Sequence, residues 1–186
     1  MPASSEHVPA LSLERWSTDD LAVLVHSNTR RMTQYLGGPE SHAALLKRHA
    51  RYLRSWETGD ARMYRIEVEG VADPVGSVGY WEYEWHGRPV FESGWSVHTP
   101  YQDRGYATRA MRLLIADAAA HRTPERALLL AFPMVDNLPS NALCRRLGFR
   151  HEGEQDFPGR RGGTVRVHAW SIDLREVAPR AADGSA

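Results

Sequence analysis

Residues 90–118 constrain the fold more than any other stretch. Val90-Phe-Glu-Ser-Gly-Trp-Ser-Val97 favours a strand, His98-Thr-Pro-Tyr101 marks a turn, and Gln102-Asp-Arg-Gly-Tyr-Ala-Thr108 opens a helix. Ala107, Ala110, Met111, Leu114, Ile115 and Ala118 recur along that helix as one stripe, with Arg109, Arg112 and Asp117 off it. A strand feeding a glycine-led helix start offers unsatisfied N–H groups and a partial positive charge, the pattern that holds phosphates. Gly105 lets the backbone come close to an anion, and Arg104 adds a charged donor. Gly94 interrupts the strand, which predicts a bulge or the close approach of another backbone.

The rest of the chain supplies elements for a single sheet. Leu11–Trp16 alternates as a first strand, and Ser17–Asp20 caps a helix through Leu21, Leu24 and Val25. Residues 32–39 are a turn-rich connection, after which Leu45, His49, Tyr52, Leu53 and Trp56 recur at helical spacing up to Gly59. Three strands follow at 63–68, 75–85 and 90–97, the last two joined by the turn His86-Gly-Arg-Pro89. The nearly all-apolar run 126–132 reads as a strand buried on both faces and stopped by Pro133. A short helix over 139–147 ends at Gly148, and two strands around 149–155 and 164–174 flank the loop 158–163. The order βα, α, βββ, α, β, α, ββ predicts an α/β (α+β) fold around one mixed, mostly antiparallel sheet. One domain over 10–175 is expected, with Ala-, Ser-, Pro- and Gly-rich tails at 1–9 and 176–186 expected to be poorly ordered.

Bulk properties exclude several roles. Twenty-three basic residues balance twenty-three acidic ones, so no global charge draws the chain to nucleic acid or a membrane surface. No run approaches the roughly 20 apolar residues of a membrane helix, and Met1–Ala10 lacks the pattern of a secretory signal. The single cysteine, Cys144, rules out an internal disulfide and fits a cytoplasmic protein. Nine histidines show no ligand spacing and there is no cysteine pair, so no metal is assigned.

Downstream of the central helix stand Asn137-Leu-Pro-Ser140 and Leu147-Gly-Phe149. Together with the strand, Gln102–Thr108 and the buried run, they resemble the GNAT superfamily of acyl-CoA-dependent N-acetyltransferases over roughly residues 10–175. Residues 32–39, the helix after them and the Asn137/Ser140 pair are similar to its RimJ/RimL branch. The resemblance implies acetyl-CoA as cosubstrate and a splayed sheet that admits its pantetheine arm. Gln102, Asp103, Arg104, Gly105, Tyr106, Ala107 and Thr108 then wrap the pyrophosphate. Trp95, Ser96 and Val97 offer backbone groups to the thioester and its oxyanion, and Asn137 and Ser140 complete the cofactor side. The branch acts on small amines or peptide N-termini, and many members are homodimers, which the aromatic content here permits.

The chain departs from the family at Cys144, where many relatives carry a tyrosine acid; Ser140, Cys144 or a water is left for that role. Asp103 and Arg104 replace small residues in the loop. At pH 7 only a few amines in ten thousand are neutral when the pKa is roughly 10.4, so the protein must remove a proton before attack. Glu92 is the first candidate base; it also reads as the outward residue of an alternating strand. Glu82 and Glu84 are candidates for the acceptor site or a solvated strand face. Trp81, Tyr83 and Trp85 share the other face as core, subunit interface or acceptor wall, and Tyr35 has the same ambiguity. His98 reads as packing or capping, Cys144 also as a small buried hydrophobe, and Arg160-Arg161 as an exposed loop or a phosphate contact. Direct attack in a ternary complex is expected. The alternative is an acyl-CoA-binding module without catalysis; ribosome association is a third reading, and zero net charge lends it nothing.

Overall fold

In the computed structural model, residues 7–160 and 162–178 are described. Most of both terminal stretches expected as tails, and Arg161, lie outside the described residues. Among the described residues, seven strands form one sheet: β1 (Leu11–Arg15), β2 (Ala61–Val68), β3 (Gly76–Trp85), β4 (Arg88–Val97), β5 (Leu128–Ala131), β6 (Arg150–Pro158) and β7 (Thr164–Asp173). Four helices complete it: α1 (Leu21–Ser27), α2 (His42–Thr58), α3 (Tyr106–Ala120) and α4 (Leu138–Arg146). The spatial order is β1-β2-β3-β4-β5-β7-β6. Every pairing is antiparallel except β4 with β5. The expected mixed, mostly antiparallel architecture is the one found.

The β3–β4 hairpin fixes the side-chain register of the site. His86 (φ 51°) and Gly87 (φ 71°) both occupy the left-handed region, the requirement of a tight two-residue turn. Strand β4 therefore starts at Arg88, and Trp81 pairs with Glu92, Gly79 with Gly94 and Ser77 with Ser96. The register is regular through Gly94, so neither a bulge nor a neighbouring backbone explains this glycine. The ring of Trp81 does, since a Cβ at Gly94 would stand 3.1 Å from its Cη2.

The two sheet faces carry separate cores. Tyr64, Ile66, Val78, Tyr80, Phe91 and Val97 pack against Ala110, Met111, Leu114 and Ala118 of α3, and Leu143 and Cys144 of α4 join them. Trp16, Val23, Leu24, Leu45 and Met63 form the second core beneath α1 and α2, with Trp81 against its edge. Asp117, off the apolar stripe, is not idle. Its Oδ2 accepts hydrogen bonds from the hydroxyls of Tyr64 and Tyr80, both at 2.9 Å, and so pins α3 across two strands. Among the described residues, no helix is long and apolar enough to cross a membrane.

Candidate active site

Strands β4 and β5 pair in parallel only at Phe91–Leu129 and Glu92–Leu130. Beyond that point β5 ends at Ala131, while β4 runs on from Ser93 to Val97, paired with β3 on one edge and with no strand on the other. The two strands thus fork, as the resemblance implied. Ser93 holds the base of the fork, its hydroxyl donating to the Leu130 carbonyl at 2.9 Å. Above it the main chain of Trp95–Val97 is bonded to β3 on one edge and bare of any strand on the edge facing the fork. Main-chain groups without a strand partner are what an extended ligand with amide bonds requires.

The loop after β4 delivers the chain to α3. The Gln102 side chain donates to the Val97 carbonyl at 2.9 Å, tying loop to strand. Asp103 (φ 61°) and Gly105 (φ 77°) are both left-handed, which turns the peptide units outward. The first helical bond is Arg109 N to Gly105 O. Among the described residues, the N–H groups of 103 to 108 have no hydrogen-bond partner. Six unpaired donors at one helix mouth make a backbone cradle of the kind that suits an anion. Asp103 and Arg104 point to solvent, so their departure from small residues leaves the cradle open.

Arg146, absent from the sequence reading, adds a charge here. From the last turn of α4 its guanidinium donates to Thr108 Oγ1 at 3.3 Å, which sets a cation beside the helix mouth. A basic residue just before Leu147-Gly-Phe149 was the available signal. At the other end of α4, the Asn137 Oδ1 accepts from Ser140 N at 3.3 Å as the N-cap. The Asn137 amide nitrogen and the half-buried Ser140 remain for a ligand. The buried Asn141, also unmarked in the sequence, donates to the carbonyls of Met134 and Asn137 and accepts from Trp170 Nε1 at 2.8 Å. It fixes where α4 meets the sheet.

Glu92 sits at the last β4–β5 pair, at the point of the fork. Its Oε2 accepts from Trp81 Nε1 at 3.0 Å. Burial pushes its carboxyl up to about 7, against the smaller opposing effect of that bond. The outward-facing alternative for Glu92 does not fit, because it is enclosed by Trp81 and shares its face with Tyr83. A carboxyl that titrates near neutrality beside an open strand is suited to taking a proton.

The raised value has a consequence for stability. The unfolded carboxyl ionises near 4.5 and the folded one near 7, so the folded state binds more protons between these limits. Stability is therefore fully present below about 4.5 and falls as pH rises through 7. Glu92→Gln keeps an acceptor for Trp81 and removes the charge. It is expected to be more stable than the parent at pH 8 by about 2 kcal/mol, and indistinguishable at pH 4.5, by thermal unfolding at both pH values.

Three expectations need correction. Cys144 is fully buried within the core, and desolvation pushes its thiol up to about 12. It packs as a small hydrophobe and cannot reach a thioester, so Ser140 or water is left as the acid. Glu82 and Glu84 alternate with Trp81 and Tyr83, so they lie on the sheet face opposite Glu92. Both are exposed, and Glu82 is held by Arg126 at 2.8 Å. Neither joins the site. His98 is buried and packs, as read: its Nε2 donates to the Val23 carbonyl at 3.1 Å, joining α1 to β4. Tyr35 is half-buried on the 3-10 turn Gln34–Leu36, with no contact to Glu92. Among the described residues, no three His, Cys, Asp or Glu side chains are grouped to hold a metal ion.

A forked sheet with an open helix mouth beside it agrees with one family. Its acetyltransferase (GNAT) domain model matches residues 10–150. The chain belongs to the GNAT acetyltransferase family. Acetyl-CoA is accordingly its acetyl donor. The chain is 28% identical over 71 residues to the N-acetyltransferase YnaD of Bacillus subtilis (strain 168), described as uncharacterized; that stretch covers 38% of this chain and 41% of YnaD. Among solved structures it is similar to a Salmonella typhimurium acetyl transferase that modifies the N-terminal serine of ribosomal protein L7/L12. The TM-score is 0.73 at 20% identity, covering 88% of this chain and 94% of the other. It is also similar to spermidine N-acetyltransferase from Vibrio cholerae, in complex with CoA and spermine. There the TM-score is 0.72 at 18% identity, covering 89% and 96%. At these identities the likeness to the two structures is one of fold.

Proposed function

We propose that the protein moves an acetyl group from acetyl-CoA to a primary amine by direct attack in a ternary complex, with Glu92 taking the proton. The observation that carries this reading is the placement of one desolvated carboxyl at the tip of the β4–β5 fork. In this reading the six free N–H groups of 103–108 and Arg146 hold the pyrophosphate, and Asn137 and Ser140 face the pantetheine arm. The open strand Trp95–Val97 aligns the thioester and supplies an N–H to the developing oxyanion. The acceptor arrives as an ammonium, is attracted by the Glu92 carboxylate, and gives it a proton. The neutral amine then attacks the thioester carbonyl, the C–S bond breaks, and the proton that leaves the amide nitrogen passes to the thiolate, relayed by Ser140 or water. Cys144 is closed inside the core, so no acetyl-cysteine intermediate forms and attack is direct.

Thiol release from acetyl-CoA across a panel of amines and peptides tests this reading. Turnover that needs both an amine and Glu92 is the expected result. Acetyl-CoA binding with no turnover on any amine would favour a binding module instead. Within the cofactor site, Arg146→Gln is expected to weaken acetyl-CoA binding about tenfold, in line with one charge-assisted bond. Calorimetry measures this, and a change under twofold would remove Arg146 from the site.

A further inference from the structure

Glu92 does not stand alone on its face of the sheet. The core under α1 and α2 extends across this face only as far as Trp81. Beyond it an aromatic surface continues. Tyr83 lies one step along β3; Phe132 follows directly on β5, and Phe157 comes from β6. The ring centroids are 5.7 Å apart for Tyr83–Phe132, 5.0 Å for Phe132–Phe157 and 6.3 Å for Tyr83–Phe157. All three are half-buried, so each keeps an open flank. Burial, with the Glu92 charge adding to it, holds the Tyr83 hydroxyl above the ordinary tyrosine range. The β6–β7 hairpin bends over this side. Near its tip Arg160 reaches Glu40 at 3.4 Å, just before α2.

The carboxylate at the rim of this surface is already matched: Glu40 is paired to both Arg48 and Arg160. Among the described residues, Glu92 has Trp81 Nε1 as its hydrogen-bond donor and no cation. One uncompensated carboxylate matches one ammonium. A second positive charge on the same ligand would meet rings and arginines.

Resting on the reading of Glu92 as the base, we propose that the acceptor is a monocationic amine with an aromatic group next to its amino group. The ammonium sits on Glu92 and Trp81, and the flat group lies against Tyr83, Phe132 and Phe157. Aromatic faces attract both a ring and the edge of the cation, so the two halves of the ligand are recognised by adjoining parts of one wall. A free arylalkylamine and a peptide beginning with an aromatic residue share this chemistry.

The test measures kcat/KM by thiol release with phenethylamine, the peptide amide Phe-Ala-Ala, Ser-Ala-Ala amide, putrescine and spermidine. Phenethylamine or the Phe peptide is expected to exceed both polyamines and the Ser peptide by at least about tenfold, the worth of one aromatic contact. Which of the two leads tells a small-molecule acceptor from a peptide one. Phe132→Leu, which keeps the site apolar and the fold packed, is expected to lower the aromatic-to-putrescine ratio about fivefold. Equal or better turnover of spermidine, putrescine or the Ser peptide overturns the proposal. So does acetyl-CoA binding with no turnover of any of the five, or a ratio unchanged in Phe132→Leu. Failure to bind acetyl-CoA at all overturns the donor assignment beneath it, which separates the two failures.

Discussion

Glu92→Gln is expected to lower kcat by 10²–10⁴-fold, the range of a lost general base, while the dissociation constant for acetyl-CoA stays within about twofold. The argument is geometric before it is electrostatic. Glu92 is the last β4 residue that still has a partner on β5, so its position is held by strands on both sides. Its side chain is oriented by the Trp81 indole at 3.0 Å. Glutamine preserves the shape and the hydrogen bond and removes only the ability to accept a proton from an ammonium. The cradle at 103–108 lies on a different element, and its donors are main-chain N–H groups. A drop in kcat with unchanged acetyl-CoA binding is therefore the signature of proton transfer, and unchanged kcat would assign that step to another group.

Gly105→Glu should cost at least about 100-fold in acetyl-CoA affinity. Two effects add. Gly105 is held at φ 77°, where any other residue pays roughly 1 kcal/mol. The introduced carboxylate also stands at the helix mouth, where it competes with phosphate for the same N–H groups and repels it. The size of the residue is not the cause, since a Cβ at Gly105 meets nothing within 4 Å. Gly105→Ala therefore separates the two: it carries the backbone strain without the charge and is expected to bind acetyl-CoA within about fivefold of the parent. Calorimetry on both variants decides the point. Equal losses in Ala and Glu would make the loop's conformation, and not its anion cradle, the source of affinity.

The parts of the site that were legible in the sequence are those encoded locally. The stripe of α3, the glycine at its mouth, the apolar run of β5 and the glycine that ends α4 each depend on residues a few positions apart. Face assignment on β3 was legible too, because alternation puts Trp81, Tyr83 and Trp85 together in any regular strand. The register to β4 was not. A four-residue turn over His86–Pro89 would set Glu92 opposite Tyr83. The two-residue turn His86-Gly87 sets it opposite Trp81, and so gives it the indole donor. Glu82 and Glu84 stood behind Glu92 as candidates but were not excluded, since composition does not say which face a cleft opens on. Long-range partners were silent for the same reason. Asp117 reads as a surface residue of α3, yet it closes hydrogen bonds 53 and 37 residues away in sequence. Phe157 meets Tyr83 and Phe132 only because the β6–β7 hairpin brings it over them.

The pH dependence of kcat, with acetyl-CoA and the best acceptor of the panel both saturating, tests the central claim most directly. A rising limb with an apparent pKa near 7 is expected in the parent, because the Glu92 carboxyl must be ionised to take the proton and burial holds it at about 7. That limb is expected to disappear in Glu92→Gln. A limb near 7 that persists unchanged in the variant would contradict the assignment of Glu92 as the base.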